Sequence, residues 1–237
     1  MPSTSFAFDT NLPPEGPHAV LWDMDGTLID TEPYWIAAEG ELVAAHGGTW
    51  GGEQAHALVG SALPDAARVL QAAGVDLPVR EIIDTLSARV AAGIREQLPW
   101  RPGARELLTA LHAAGVPQAL VTMSERSIVA DLLPLLPEGI FQASVTGEEV
   151  AQGKPHPEPY LRGLQLLSEL AGAPLDPARC IGFEDSAPGI TAASAAGLHA
   201  VLIPNATDPG HGPWRRIDSL AGLDLQTMAS WLAQVNA

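Results

Sequence analysis

Apolar positions along the chain fall into two kinds of run. Short continuous runs bounded by turn residues occur at Ala19–Trp22, 117–122, 179–183 and 199–203, with a weaker one over Ile140–Val145. An apolar run of that length without alternation reads as a strand buried on both faces, as in a parallel sheet. Between these runs the apolar positions recur at helical spacing. Leu107, Leu108 and Leu111 mark a helix over 103–113, and another follows over 125–133. Tyr160, Leu161, Leu164, Leu167 and Leu170 give a helix over Pro157–Leu170, with a further one over 188–196. Met228, Trp231, Leu232 and Val235 give Leu225–Val235 an apolar face. Strand and helix in alternation predict an α/β fold: a doubly wound parallel sheet with helices on both faces.

One stretch breaks the alternation. Glu32-Pro33 opens a helical pattern that runs to about His46, Pro33 suiting a first helical position and Gly47-Gly48 ending it. From Gly52 to Gln97 the apolar positions again keep helical spacing: Ala66, Ala67, Val69, Leu70 and Ala73, then Val79, Ile82, Ile83, Leu86, Val90 and Ile94. A connection this long exceeds any ordinary crossover. Residues 32–99 are therefore read as an inserted helical cap, and 18–31 with 100–237 as the sheet-bearing core. The return path, Leu98-Pro99-Trp100-Arg101-Pro102-Gly103, is a plausible stiff hinge. Residues 1–17, with Pro2, Pro13, Pro14 and Pro17, read as a flexible leader.

Composition narrows the function. The chain has 237 residues, 46% of them hydrophobic, enough for one large or two small domains. Its 28 acidic and 12 basic residues leave a net charge of -16. Such an acidic chain is not built to hold nucleic acid or anionic lipid. A small phosphorylated metabolite stays possible, since a few local cations and a metal can bind one. Cys180, the only cysteine, cannot pair within the chain and lies in a predicted core strand, so it reads as a buried structural thiol. No apolar run reaches the roughly 18 residues of a membrane span, and no secretory signal is visible, so the cytoplasm is the default.

Four polar constellations fall at or just beyond predicted strand ends, and in a parallel sheet those ends share one rim. The first is Asp23-Met24-Asp25-Gly26-Thr27. One carboxylate can attack phosphorus as a nucleophile and the other can move protons; a pair of turn or capping aspartates is the plainer reading. The second is Val121-Thr122-Met123-Ser124-Glu125, where a hydroxyl and the free N–H groups of a helix start can hold phosphate, or Ser124 can simply cap the helix. The third is Gly153-Lys154-Pro155-His156-Pro157, holding the only lysine of the chain; His156 reads as structural. The fourth is Glu184-Asp185-Ser186, where Asp185 and Asp23 offer the oxygen ligands magnesium prefers, or Asp185 or Ser186 caps the next helix.

These stretches, in this order, resemble the haloacid dehalogenase superfamily of phosphohydrolases, and the likeness spans about Val20–Ile203. The resemblance implies a Rossmann-like core with a small helical cap. It also implies a phosphatase with Asp23 as nucleophile and Asp25 as general acid/base that lends a backbone carbonyl to Mg2+. Thr122 and the N–H groups around Met123 would bind the phosphoryl group, Lys154 would orient nucleophile and phosphate, and Asp185 would ligate the metal with Glu184 nearby. The dehalogenase branch lacks the second aspartate, so Asp25 favours phosphate chemistry. The β-phosphoglucomutase branch carries a histidine where this chain has Trp35, and Asp30–Trp35 looks more like sugar-phosphate phosphatases such as 2-deoxyglucose-6-phosphatase. A phosphosugar mutase is the second reading, and a non-catalytic phosphate-binding protein a third. Many relatives carry an arginine after the cap glycine aligned with Gly60; here it is Ser61. Trp35, Glu39, His56 and Ser61 are the cap residues expected to face substrate. A monomer is the default assembly.

Overall fold

A computed structural model of the chain describes residues 16–59 and 61–234. Most of the expected leader, together with Gly60 and Val235, lies outside the described residues. Gly16 and Pro17 are described and buried, and the Gly16 carbonyl accepts a 2.9 Å hydrogen bond from Arg179.

Strands β1 (Ala19–Trp22), β2 (Gln118–Val121), β3 (Ala143–Val145), β4 (Cys180–Glu184), β5 (His199–Leu202) and β6 (Arg215–Arg216) form one six-stranded sheet. Its order is β3-β2-β1-β4-β5-β6 and every neighbouring pair is parallel. Every residue of β1 is fully buried, which explains its unbroken apolar sequence. Successive side chains enter opposite layers. Val20 and Trp22 join one apolar cluster, Ala19 and Leu21 the other. Trp22 stacks on Phe183 with ring centroids 4.6 Å apart. Its indole N–H, which burial would otherwise leave unsatisfied, donates to Gln118 Oε1 at 2.9 Å.

Four helices intervene between β1 and the next core helix: α1 (Glu32–Ala45), α2 (Gly52–His56), α3 (Leu63–Ala72) and α4 (Val79–Glu96). Leu42, Val43, Ala67, Leu70, Ile82, Ile83 and Leu86 give them an apolar cluster of their own. The far half of α4, through Val90, Ala91 and Ile94, joins the cluster on the sheet. The helices α5 (Ala104–Ala113), α6 (Arg126–Leu132), α7 (Glu158–Ala171), α8 (Ala187–Ala195) and α9 (Leu225–Gln234) complete the fold. Helices α5, α6 and α9 contribute to the Trp22 layer, α7 and α8 to the Leu21 layer.

The two links between β1 and this helical block on one side, and the block and α5 on the other, run together. Ile29 and Trp100 form an antiparallel bridge. Asp30 N–H donates to the Pro99 carbonyl at 2.8 Å, and Arg101 N–H to the Leu28 carbonyl at 2.9 Å.

Two expectations need correction. The weaker strand begins at Ala143, not Ile140, because Gly139 takes a left-handed turn (φ 73°) and the Ile140 N–H folds back onto the Pro137 carbonyl. Strand β6 was not expected: two arginines carry no apolar signal, and only the pairing of Val201 with Arg215 and of Leu202 with Arg216 defines it. Cys180 is the buried thiol the sequence suggests, and burial pushes it up to about 12. Among the described residues no helix is long and apolar enough to cross a membrane.

Candidate active site

The chain leaves β1 toward β2 on one side and returns to β4 on the other, so the sheet order reverses at the β1–β4 boundary. Open α/β sheets bind ligands at such a reversal, beyond the carboxyl ends of the strands. Trp22 pairs with Leu120 and Phe183, so the three strands end almost level. Asp23, the first residue past β1, donates its N–H to the Phe183 carbonyl at 3.0 Å, and Thr122, the first past β2, donates its own to Val145 at 3.0 Å.

Asp23, Glu184 and Asp185 offer carboxylate oxygens within 4.8 Å of one another, all buried. One cation answers them. Lys154 Nζ donates to Asp23 Oδ1 at 2.7 Å, to Glu184 Oε1 at 2.6 Å and to the Val121 carbonyl at 2.9 Å, so all three ammonium protons have acceptors. Burial alone lowers the pKa of Lys154, but the two carboxylates outweigh it and raise it above its ordinary value. Burial, with Glu184 beside it, raises Asp23 to about 7 in spite of Lys154. Burial and the neighbouring Asp23 and Glu184 raise Asp185 well above the carboxylate range. Asp23 Oδ2 is buried with no hydrogen-bond partner.

Glu184 is held hardest. It is fully buried and accepts from Tyr160 Oη (2.7 Å), Ser186 Oγ (3.2 Å) and the Asp185 N–H (3.3 Å) as well as Lys154. Two glycines make room for the acids. A Cβ on Gly189 would lie 1.9 Å from Glu184 Oε2. A Cβ on Gly26, which turns at φ 86°, would lie 2.0 Å from Asp185 Oδ2.

Asp25 faces elsewhere. Its Oδ1 accepts from Thr31 Oγ1 and from Trp35 Nε1 (3.5 Å), and its Oδ2 from Ser124 Oγ (2.7 Å) and Thr122 Oγ1 (3.2 Å). The second motif therefore meets the first through hydroxyls. Ser124 is not a helix cap: α6 is capped at Glu125 with no side-chain bond, and the Ser124 hydroxyl is spent on Asp25. Ser186 does cap α8, accepting from the Gly189 N–H at 3.2 Å. His156 is structural, accepting the Glu158 N–H at the start of α7 at 3.2 Å.

A cavity of about 300 Å3 rises from these groups toward α1 and α3. Asp23, Asp25, Thr122, Met123, Lys154 and Asp185 line its floor; Glu184 lies behind them. Of the cap candidates, Trp35, Glu39 and Ser61 line it. His56 does not: its ring is exposed and sits 3.9 Å from Glu32. Thr31, Ser124, Tyr160 and Asn205 were not singled out as site residues in the sequence. Thr31, inside the Asp30–Trp35 run, and Ser124, inside the second constellation and read there as a possible cap, had a nearby signal; Tyr160 and Asn205 enter through contacts far along the chain.

The residues present fit a hard divalent cation. The donor set is all oxygen, Asp23 Oδ2 lacks a partner, and the acids outnumber the single ammonium.

The haloacid dehalogenase-like hydrolase family pattern matches residues 17–197. Protein CbbY of Rhodobacter capsulatus is 34% identical over 202 residues, covering 79% of this chain and 85% of that one. Hexitol phosphatase B of Escherichia coli K12 is 29% identical over 197 residues, covering 78% and 83%. The crystal structure of CbbY from Rhodobacter sphaeroides in complex with phosphate superposes with a TM-score of 0.76 at 27% identity, covering 87% of this chain and 96% of that one. The chain belongs to the haloacid dehalogenase-like hydrolase family, and its enzymatic class is the phosphatase class of that family.

Proposed function

We propose that this protein is a magnesium-dependent phosphomonoesterase that hydrolyses a small phosphorylated metabolite, best matched by a sugar phosphate, through an aspartyl-phosphate at Asp23. The observation that carries this reading is the convergence of Asp23, Asp25, Thr122, Lys154 and Asp185 on the floor of one cavity. Hexitol phosphatase B, by its name a sugar-alcohol phosphatase, supports the substrate class.

Asp23, Asp185 and the backbone carbonyl of Asp25 would hold the metal, with Glu184 close by. Bound there, magnesium offsets the clustered carboxylates and draws charge from the phosphoryl oxygens. Asp23 attacks phosphorus, and the bond to the leaving oxygen breaks as its bond to the carboxylate forms. Asp25 gives the leaving oxygen its proton. Thr122 and Ser124, whose hydroxyls point at Asp25 in the free protein, and the N–H groups around Met123 turn to the phosphoryl oxygens. Lys154 keeps Asp23 ionised and covers the remaining charge. Asp25 then takes a proton from water, which attacks phosphorus and releases phosphate and Asp23. Trp35 offers no titratable group where the mutase branch carries histidine, which favours hydrolysis over isomerisation.

Residues 32–99 act as the cap. Paired linkers at Ile29 and Trp100 let it close as a unit and exclude water while phosphorus is transferred.

The test is phosphate release from p-nitrophenyl phosphate. Wild type with magnesium is expected to exceed Asp23→Asn by at least about a thousand-fold, as loss of a nucleophile does elsewhere. Chelation should remove the activity and added magnesium restore it. Equal rates for wild type and Asp23→Asn would sink the proposal.

A further inference from the structure

The upper cavity differs from its floor in a way that bears on the leaving group. Its walls are Trp35, Ile36, Leu58, Val59, Leu63 and Ala66, almost wholly apolar. The one deeply buried ionisable group among them is Glu39 on α1, 5% exposed. Its single side-chain bond is a long one, Trp50 Nε1 to Oε2 at 3.3 Å. The other acid on this wall is Glu32. Lys154 is the only cationic side chain among the described residues lining the cavity, and Asp23, Glu184 and the Val121 carbonyl take its three protons.

A phosphoryl group and any metal would use the floor. A second anionic group on the substrate would then share the upper cavity with Glu32 and Glu39, where no cationic side chain among the described residues lines the wall. Like charges so placed repel strongly. A hydroxyl would find in Glu39 a buried acceptor with a free lone pair, and the carbon skeleton beside it an apolar wall. A site that buries such an acceptor rejects ligands that leave it unpaired.

We propose that this cavity selects phosphomonoesters of uncharged, hydroxylated alcohols, with Glu39 accepting a hydrogen bond from the leaving group, and excludes esters that carry a second phosphate or a carboxylate. This rests on the phosphomonoesterase reading and names the substrate class for the same site. Glu39 is a specificity residue here; nothing assigns it to the floor chemistry.

The experiment, run at pH 8, compares kcat/KM for a hexitol 6-phosphate, gluconate 6-phosphate and a hexitol 1,6-bisphosphate, with p-nitrophenyl phosphate as the reference ester. Wild type is expected to prefer the neutral hexitol ester by at least about a hundred-fold over both acidic ones. In Glu39→Leu the ratio of hexitol ester to aryl ester should fall by about 10- to 100-fold, the range for losing one hydrogen bond to a charged group. In Glu39→Gln, which keeps an acceptor but no charge, that ratio should stay within about five-fold of wild type. The gluconate ester should gain about ten-fold on the hexitol ester in the same variant. Ratios taken on one preparation cancel differences in folded fraction. Equal wild-type rates on neutral and acidic esters, or an unmoved ratio in Glu39→Leu, would overturn the assignment while Asp23-dependent aryl hydrolysis left the phosphatase reading standing. Absence of that hydrolysis would remove both.

Discussion

The floor and the roof of the cavity both bury carboxylates, and they do so by opposite means. On the floor, Glu184 has no exposure yet is matched by Lys154, Tyr160, Ser186 and a backbone N–H. On the roof, Glu39 is almost as buried with one long bond from Trp50. A buried acid whose lone pairs are all matched is held in one place; a buried acid with one weak donor keeps acceptor capacity to spare. Burial raises Glu39 to about 7, against an ordinary value of 4.5. The contrast separates a saturated hydrogen-bond network on the floor from an acceptor with spare capacity on the roof.

The sharpest way to break the comparison is to remove the floor's cation. In Lys154→Met, Asp23 and Glu184 are left buried and uncompensated. Loss of one partner of a buried pair costs about 3–5 kcal/mol, and urea unfolding should register it. Adding Glu184→Gln to that variant should recover a good part of the loss, since the two residues share one network. If Lys154→Met unfolds at the wild-type midpoint, the floor is not the matched network described.

The roof gives a smaller effect with a pH signature. Glu39 holds its proton more tightly folded than unfolded, so its contribution to stability is complete below about pH 4.5 and is lost as the pH rises through about 7. Glu39→Gln, neutral at every pH, should therefore be more stable than wild type by about 2–3 kcal/mol at pH 8. The gain should shrink toward zero near pH 4. A gain that does not vary with pH would mean that packing, not ionisation, sets the difference.

The smallest effect lies where floor and roof meet. Trp35 reaches Asp25 with a 3.5 Å indole bond and lines the cavity. Trp35→Phe keeps the apolar wall and removes only that weak donor. We expect about a two- to five-fold drop in kcat, the scale of well under 1.5 kcal/mol for a marginal hydrogen bond. A loss as large as that of Asp23→Asn would make Trp35 part of the reaction.

Much of this was legible in the sequence because its signals are local. Unalternated runs such as Ala19–Trp22 declare buried strands, and Asp23, Thr122, Lys154 and Asp185 each follow or lie just beyond one. What was hidden depends on contacts across the chain. Nothing around Ser124 tells that its hydroxyl will meet Asp25 rather than its own helix. Gly26 and Gly189 look like ordinary turn and helix residues until the carboxylates of Asp185 and Glu184 occupy the space where their side chains would stand. Glu39 was expected to face substrate and does line the cavity, but the depth of its burial comes from the packing of α1. Strand β6 exists by pairing alone.

Lys154 is the chain's single lysine, and its amine is buried in the site between Asp23 and Glu184. All other basic side chains that stay charged at neutral pH are arginines. The exterior thus presents no lysine to acylating reagents, cross-linkers or the conjugating enzymes that tag proteins through that side chain. Derivatisation of a lysine in this protein has one address, and reaching it requires the charge network around Asp23 to come apart.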